Sequence, residues 1–169
     1  VLLAGNGEFE KAFNDFSRTI ELNPRLAKAY SNRAALFVVA GKVQGAIQDY
    51  TKAVELDPEL TVAHRGLGRA CHLDGQPEAA IRHYDEAVRL APNDAYAHTS
   101  RADVLTDLGR YAEAAAEYDR AIQADPNSSQ AHSGSAWLLA TCPDDSVRNP
   151  EVALERAQVA VELTNGEDA

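Results

Sequence analysis

Four prolines, Pro24, Pro58, Pro92 and Pro126, stand 34 residues apart, and that even spacing constrains the fold more than any local motif. The same step recurs in Gly7, Gly41, Gly75 and Gly109, in Ala12, Ala46, Ala80 and Ala114, and in Phe16, Tyr50, Tyr84 and Tyr118. Self-similarity at a step of about 20–50 residues is the signature of a repeat array, in which each unit buries its apolar face against its neighbours. Length therefore counts repeats rather than cores. The 169 residues read as one domain: a partial repeat at 1–26, repeats at 27–60, 61–94 and 95–128, and an atypical repeat with a lengthened turn at 129–164.

Within each repeat the apolar residues recur at helical spacing, as Phe9, Ala12, Phe13, Phe16 and Ile20 do in 8–22. Asn23-Pro24 stops that helix, because the residue before a proline is pushed out of the α region. In the second repeat Ala29, Tyr30, Arg33, Ala34 and Phe37 line one side of a first helix that ends at Gly41, where glycine suits a helix C-terminus. Second helices are expected at Val43–Leu56, Pro77–Leu90 and Tyr111–Ala124. By the same reading Gly7 marks a turn, and residues 1–5 are the second half of a preceding helix, with Leu2 and Leu3 in the columns of Leu36 and Phe37. The fifth unit departs from the pattern. Gln130–Ala140 repeats a first helix, Pro143 stands where glycine is expected, and the alanine column resumes at Ala153 after five extra residues. Asn149 and Pro150 form a helix start, and Asn165–Ala169 reads as a short frayed tail.

Ala34, Gly41, Ala46, Tyr50, Ala53 and Pro58, with their equivalents over residues 1–163, resemble the tetratricopeptide repeat. The stretched turn of the fifth unit is similar to the closing repeat of bacterial members. The resemblance implies an all-α, right-handed superhelical solenoid of antiparallel helix pairs, the first helix of each pair lining an inner groove. Small columns such as Ala34, Gly68, Ala102 and Ala136, facing Ala46, Ala80 and Ala114, suit helices packed near the lower end of the usual ~8–10 Å separation.

The formal charge of −10 and pI near 4.9 argue against a phosphate backbone or an anionic membrane as the main ligand. No apolar run approaches the ~20 residues of a spanning helix. Cys71 falls in an apolar column with Leu3, Phe37, Leu105 and Leu139, and Cys142 is distant in sequence, so a disulfide is not expected and a cytoplasmic location fits. The sequence carries no Gly-rich phosphate loop, His-Glu-x-x-His, Gly-x-Ser-x-Gly or Cys-x-x-Cys motif. A non-enzyme without cofactor is expected. Asp144-Asp145 lacks the alternating ligands of a calcium loop, and Asn127-Ser128-Ser129 reads as a helix cap.

Two columns match in charge. Where the first helix carries Arg33 or Arg101, the second helix of the same repeat carries Asp49 or Glu117. Pairs Arg33–Asp49 and Arg101–Glu117 are expected inside the hairpins, with Asp15 the alternative partner of Arg33. His64, His98 and His132 form a ladder headed by Tyr30. Repeats stacked a helix diameter (~10 Å) apart keep these histidines from sharing one metal ion, so they are expected to pack between helices.

What remains is the groove. Four first-helix columns are expected to face it: Lys28, Val62, Tyr96, Gln130; Ser31, Arg65, Thr99, Ser133; Asn32, Gly66, Ser100, Gly134; and Ala35, Arg69, Asp103, Trp137. A step further come Val39, Leu73, Asp107 and Thr141. Lys28, Asn32, Arg65 and Arg69 make one half basic, Asp103 and Asp107 make the next repeat acidic, and Tyr96 and Trp137 offer aromatic anchors. The family's two-carboxylate clamp for chaperone tails fails here. Asn32 matches its middle asparagine, but Val62 and Gly66 stand where lysine and arginine are needed. The function expected is a scaffold that holds an extended peptide or a partner helix, with Arg65 and Arg69 gripping an acidic group. The alternatives are an architectural segment that associates end to end through the uncovered edge at Val1, Leu2 and Leu3, or the targeting arm of a larger enzyme.

Overall fold

The computed structural model describes residues 2–167, and the side chains of residues 7–164. The described residues form nine α-helices and no strand. These are α1 (Leu2–Leu22), α2 (Ala27–Val39), α3 (Val43–Leu56), α4 (Thr61–Leu73), α5 (Pro77–Leu90), α6 (Ala95–Asp107), α7 (Tyr111–Ala124), α8 (Ser129–Thr141) and α9 (Pro150–Glu167). The chain divides after Glu86 into two compact units. In the first, α2 and α3 form a hairpin, α1 lies on α2, and α4 packs on both α2 and α3. In the second, α6 and α7 form a hairpin, α8 packs on both, and α9 pairs with α8.

The hairpin turns follow from glycine. Gly41, Gly75 and Gly109 take φ of 69°, 73° and 72°, a left-handed conformation that L side chains rarely adopt. At Gly41 the following residue, Lys42, donates its N–H to Phe37 O at 2.8 Å, while Gly41 N donates to Val38 O at 3.0 Å. This paired bonding satisfies carbonyls the helix end would leave open. Gln76 to Cys71 and Arg110 to Leu105 repeat it at 2.9 and 2.8 Å.

Gly7 does not turn. It lies inside α1, which runs without a break from Leu2 to Leu22, and its φ is not positive. The other three turns each close a 13-residue helix, whereas at Gly7 the helix continues, adding one hydrogen bond per residue. The expectations for Val1 and for the side chains of Leu2 and Leu3 lie outside the described residues. Helix α9 runs to Glu167, so the frayed tail expected from Asn165 does not begin there, and residues 168 and 169 lie outside the described ones.

Between repeats the chain turns at a proline, preceded by Asn23, Asp57, Ala91 or Asp125. Asp57 and Asp125 are extended, as the following proline requires, and their side chains accept from Glu59 N and Asn127 N at 3.1 and 3.0 Å. Alanine columns make the close contacts: Ala34, Ala46, Ala53, Ala80, Ala102, Ala114 and Ala121 are fully buried. The tyrosine column fills what they leave. Tyr50, Tyr84 and Tyr118 are buried, and each ring covers a glycine: Gly66, Gly68 and Gly134 respectively.

Helix starts follow the sequence. Ser128 Oγ accepts from Ala131 N at 3.3 Å to cap α8, and Asn149 Oδ1 accepts from Val152 N at 3.2 Å to cap α9. Both cysteines are free and buried, and burial, first of all, pushes the Cys71 thiol up. Among the described residues no helix is long and apolar enough to cross a membrane.

Candidate functional site

Most of the charged and polar columns are spent inside the hairpins. Arg33 grips Asp49 with two hydrogen bonds, Nε to Oδ2 at 2.7 Å and Nη2 to Oδ1 at 2.9 Å. Its Nη1 donates to Ser17 Oγ at 3.3 Å, so Ser17 rather than Asp15 takes the third bond. This pairing, led by the hydrogen bond to Asp49, raises the Arg33 pKa further.

In the second unit Arg101 Nη1 reaches Glu117 Oε1 at 3.0 Å, and two more cations join. Arg120 bonds the same oxygen, and His98 Nδ1 donates to Oε2 at 2.7 Å. His98 Nε2 faces Pro92 O at 2.9 Å, so both ring nitrogens meet acceptors and only the imidazolium satisfies them. The hydrogen bond to Glu117 raises the His98 pKa against the pull of burial. Burial by itself would raise the Glu117 pKa, but the His98 hydrogen bond and the charges of Arg101, His98 and Arg120 outweigh it and hold the group low. Sequence reasoning found the Arg101 pair and missed the other two cations.

The histidine ladder has a role that spacing alone does not reveal. His64 and His132 direct Nε2 at Pro58 O and Pro126 O, each at 3.0 Å, and the Tyr30 hydroxyl donates to Pro24 O at 3.3 Å. Each ladder residue thus ties its helix to the proline turn six residues back. Where Glu117 would stand in the third repeat there is His83, whose ring lies 5.9 Å from that of His64. Burial first, then the neighbouring His64, keep the His83 pKa low. Among the described residues no three His, Cys, Asp or Glu side chains gather as a metal site.

The outward face of the first helices is narrower than four columns. Ser31 and Thr99 are buried, and Thr99 Oγ1 donates to Ala95 O at 2.8 Å. Gly66 and Gly134 lie under tyrosine rings, and Ser100 is buried. At Gly66 and Gly134 the reason is that the tyrosine of the preceding second helix, Tyr50 or Tyr118, reaches across the stripe. Only small residues fit beneath it.

What stays exposed in the first unit is Lys28 and Asn32 on α2 and Arg69 on α4, with Arg65 half-buried one turn before it. Val39, Val62 and Leu73 stand among the exposed large apolar residues on the same two helices. Because α4 packs on α2, the four polar residues belong to adjoining helices. In the second unit Tyr96 is exposed at the start of α6. Asp103 is half-buried and accepts from the Tyr118 hydroxyl at 2.5 Å. Burial, then Asp103, push the Tyr118 phenol well above its usual range. Asp103 therefore anchors a core tyrosine. Trp137, 64% exposed, stands on α8 facing α9, where it lines an apolar groove. Arg156 of α9 is held by Ser135 Oγ at 2.8 Å and Asp119 Oδ1 at 2.7 Å.

Comparison with known proteins bears on this arrangement. Two family models, both described as tetratricopeptide repeat, match residues 27–60 and, in overlapping copies, 63–95 and 74–129. Among solved structures, a crystal structure of MamA is similar at 20% identity and TM-score 0.80, covering 98% of this chain and 94% of that one. YrrB, described as a TPR protein with an unusual peptide-binding site, shares 25% identity at TM-score 0.71, covering 96% of this chain and 81% of its own. A thermophilic TPR protein of Thermus thermophilus shares 23% identity at TM-score 0.76, covering 96% of this chain and 87% of that one. No curated protein matches the chain.

Proposed function

Because the chain belongs to the tetratricopeptide repeat family, we propose that it is a non-catalytic interaction scaffold holding an extended acidic peptide on the outward faces of α2 and α4. The observation that carries this reading is the cationic pair on α4. Arg65 and Arg69 lie one helical turn apart in a chain of formal charge −10, beside the helix that carries Lys28 and Asn32. Exposed Val62, Leu73 and Val39 add apolar surface to the same helices. Guanidinium groups at this spacing suit a carboxylate-bearing ligand, and the apolar side chains suit its hydrophobic residues. The peptide-binding site named for YrrB supports a peptide as the ligand class.

The test is a calorimetric titration with a synthetic peptide of interspersed Glu and Leu. Replacing Arg65 and Arg69 together by alanine is expected to weaken binding about tenfold or more, and added salt to weaken the wild type more than the variant. Far-UV circular dichroism is expected to be unchanged, since neither residue is buried. Equal affinity of wild type and variant would remove the two arginines from the site.

A further inference from the structure

The third repeat keeps the ladder histidine but lacks the anion that the fourth repeat gives it. In the fourth, His98 Nδ1 donates to Glu117, and Arg101 reaches the same carboxylate. One step of 34 residues back, those three places hold His64, His83 and Leu67. His64 is buried on α4, and so is Leu67 one turn on. His83 is half-buried on α5, its ring 5.9 Å from that of His64 and tilted by 36°. Both histidines belong to the first unit.

The proline turn decides where the protons sit. Pro58 O can only accept, so His64 Nε2 carries a hydrogen and donates it at 3.0 Å. In the neutral ring Nδ1 is then bare, and it is buried with no hydrogen-bond partner. A second proton on this ring has to go to that atom. It would become a buried N–H without an acceptor, facing a like charge once His83 is protonated too.

Nearby charges do not compensate. On α5, Arg82 adjoins His83, and the carboxylates are Glu78, Asp85 and Glu86. On α4 the other charged residues are Arg65 and Arg69. Of the two helices packed on α4, α2 carries the cations Lys28 and Arg33, and α3 carries Asp49, bonded to Arg33, and Glu55, bonded to Lys52. Among the described residues no carboxylate bonds either ring. Burial first, then His64 and Arg82, keep the His83 pKa low. With the folded value lowered, the contribution of the neutral ring is whole above the unfolded value of about 6.5 and is lost as pH falls from there through the folded one. His98 has the opposite sign, because its contact with Glu117 strengthens on protonation.

We infer that the His64–His83 contact is an acid-released latch between α4 and α5. With both rings neutral it holds the third repeat closed, and their protonation loosens that repeat while the second unit keeps its hold. The latch does not depend on the acidic-peptide reading.

Amide hydrogen exchange of the full chain at pH 7.5 and 5.0, corrected for intrinsic rates and resolved by segment, reads the latch. Protection of α4 and of residues 77–86 is expected to fall about fivefold or more at the lower pH, and that of α7 to be kept. His83→Glu places an anion opposite Nδ1, as Glu117 is placed for His98, and is expected to abolish the loss. His83→Gln removes one titrating ring and is expected to cut the loss to about twofold or less. If His83→Glu does not fold, His83→Gln decides alone. Equal protection of α4 at the two pH values in the wild type would overturn the inference, as would the full loss in the variants. A loss of the same size in α7 would mean general acid unfolding and overturn it too.

Discussion

Replacing Glu117 by alanine is expected to destabilise the second unit by about 3–5 kcal/mol, the range for breaking a buried ionic cluster from one side. The carboxylate is 2% exposed and neutralises Arg101 and His98, whose side chains are 18% and 4% exposed. Removing it takes the shared, buried anion from beside both cations. His98 escapes part of the penalty by losing its proton, which places the cost toward the lower end. A unit of this size is expected to melt more than about 10 °C lower. The effect has a pH signature. The folded-state pKa of His98 is raised, so its contribution is fully present below the unfolded histidine value of about 6.5 and is lost as pH climbs through the higher folded value. For Glu117 the folded pKa is depressed, so its contribution is present above about 4.3 and lost as pH falls through the lower folded value. The wild-type second unit is expected to be most stable between those limits and to weaken toward alkaline pH. The Glu117→Ala variant is expected to lose that alkaline decline, because the hydrogen bond to Glu117 is the main cause of the raised histidine pKa. Melting curves from pH 5 to 9, read by circular dichroism, check both points. An equal alkaline slope in the two proteins would refute the cluster.

The second large effect is expected at Gly66. A Cβ there would press into Tyr50 Cζ and stand 2.6 Å from the hydroxyl oxygen. Glycine inside a helix costs about 1 kcal/mol relative to alanine, so on propensity alone a substitution should stabilise α4. The contact decides otherwise, because Tyr50 is buried and its ring has little room to retreat. Gly66→Val is expected to cost about 3 kcal/mol, the upper part of the range for overpacking. Truncating the opposing ring provides the control. In a Tyr50→Ala background the same valine is expected to cost less than about 1 kcal/mol, a strongly non-additive pair. Additive losses in urea unfolding would show that the ring is not what glycine makes room for.

These two residues also show how much the sequence reveals. The 34-residue columns suffice for the helices. Val43–Leu56, Pro77–Leu90 and Tyr111–Ala124 form as read, because glycine, proline and the alanine stripe act locally. The pairing of Arg33 with Asp49 and Arg101 with Glu117 was legible because both columns vary together within a repeat. At Gly7 the glycine column predicts a turn that does not form, because α1 continues through it. The face of the first helices was legible only to within one position, since neighbouring residues on a helix differ by about 100° and the crossing angle chooses between them. Hence Ser31 and Thr99 turn inward and Gly66 lies under Tyr50. His98 and Arg120 on Glu117 needed coordinates.

The measurement that tests the scaffold account most directly is amide chemical-shift mapping while the Glu/Leu peptide is titrated. Shifts are expected to concentrate on α2 and α4, at Lys28, Asn32, Val39, Val62, Arg65, Arg69 and Leu73. Gln48 and Lys52, exposed on α3, are expected to stay still. Shifts centred on α3, or none at saturating peptide, would contradict it.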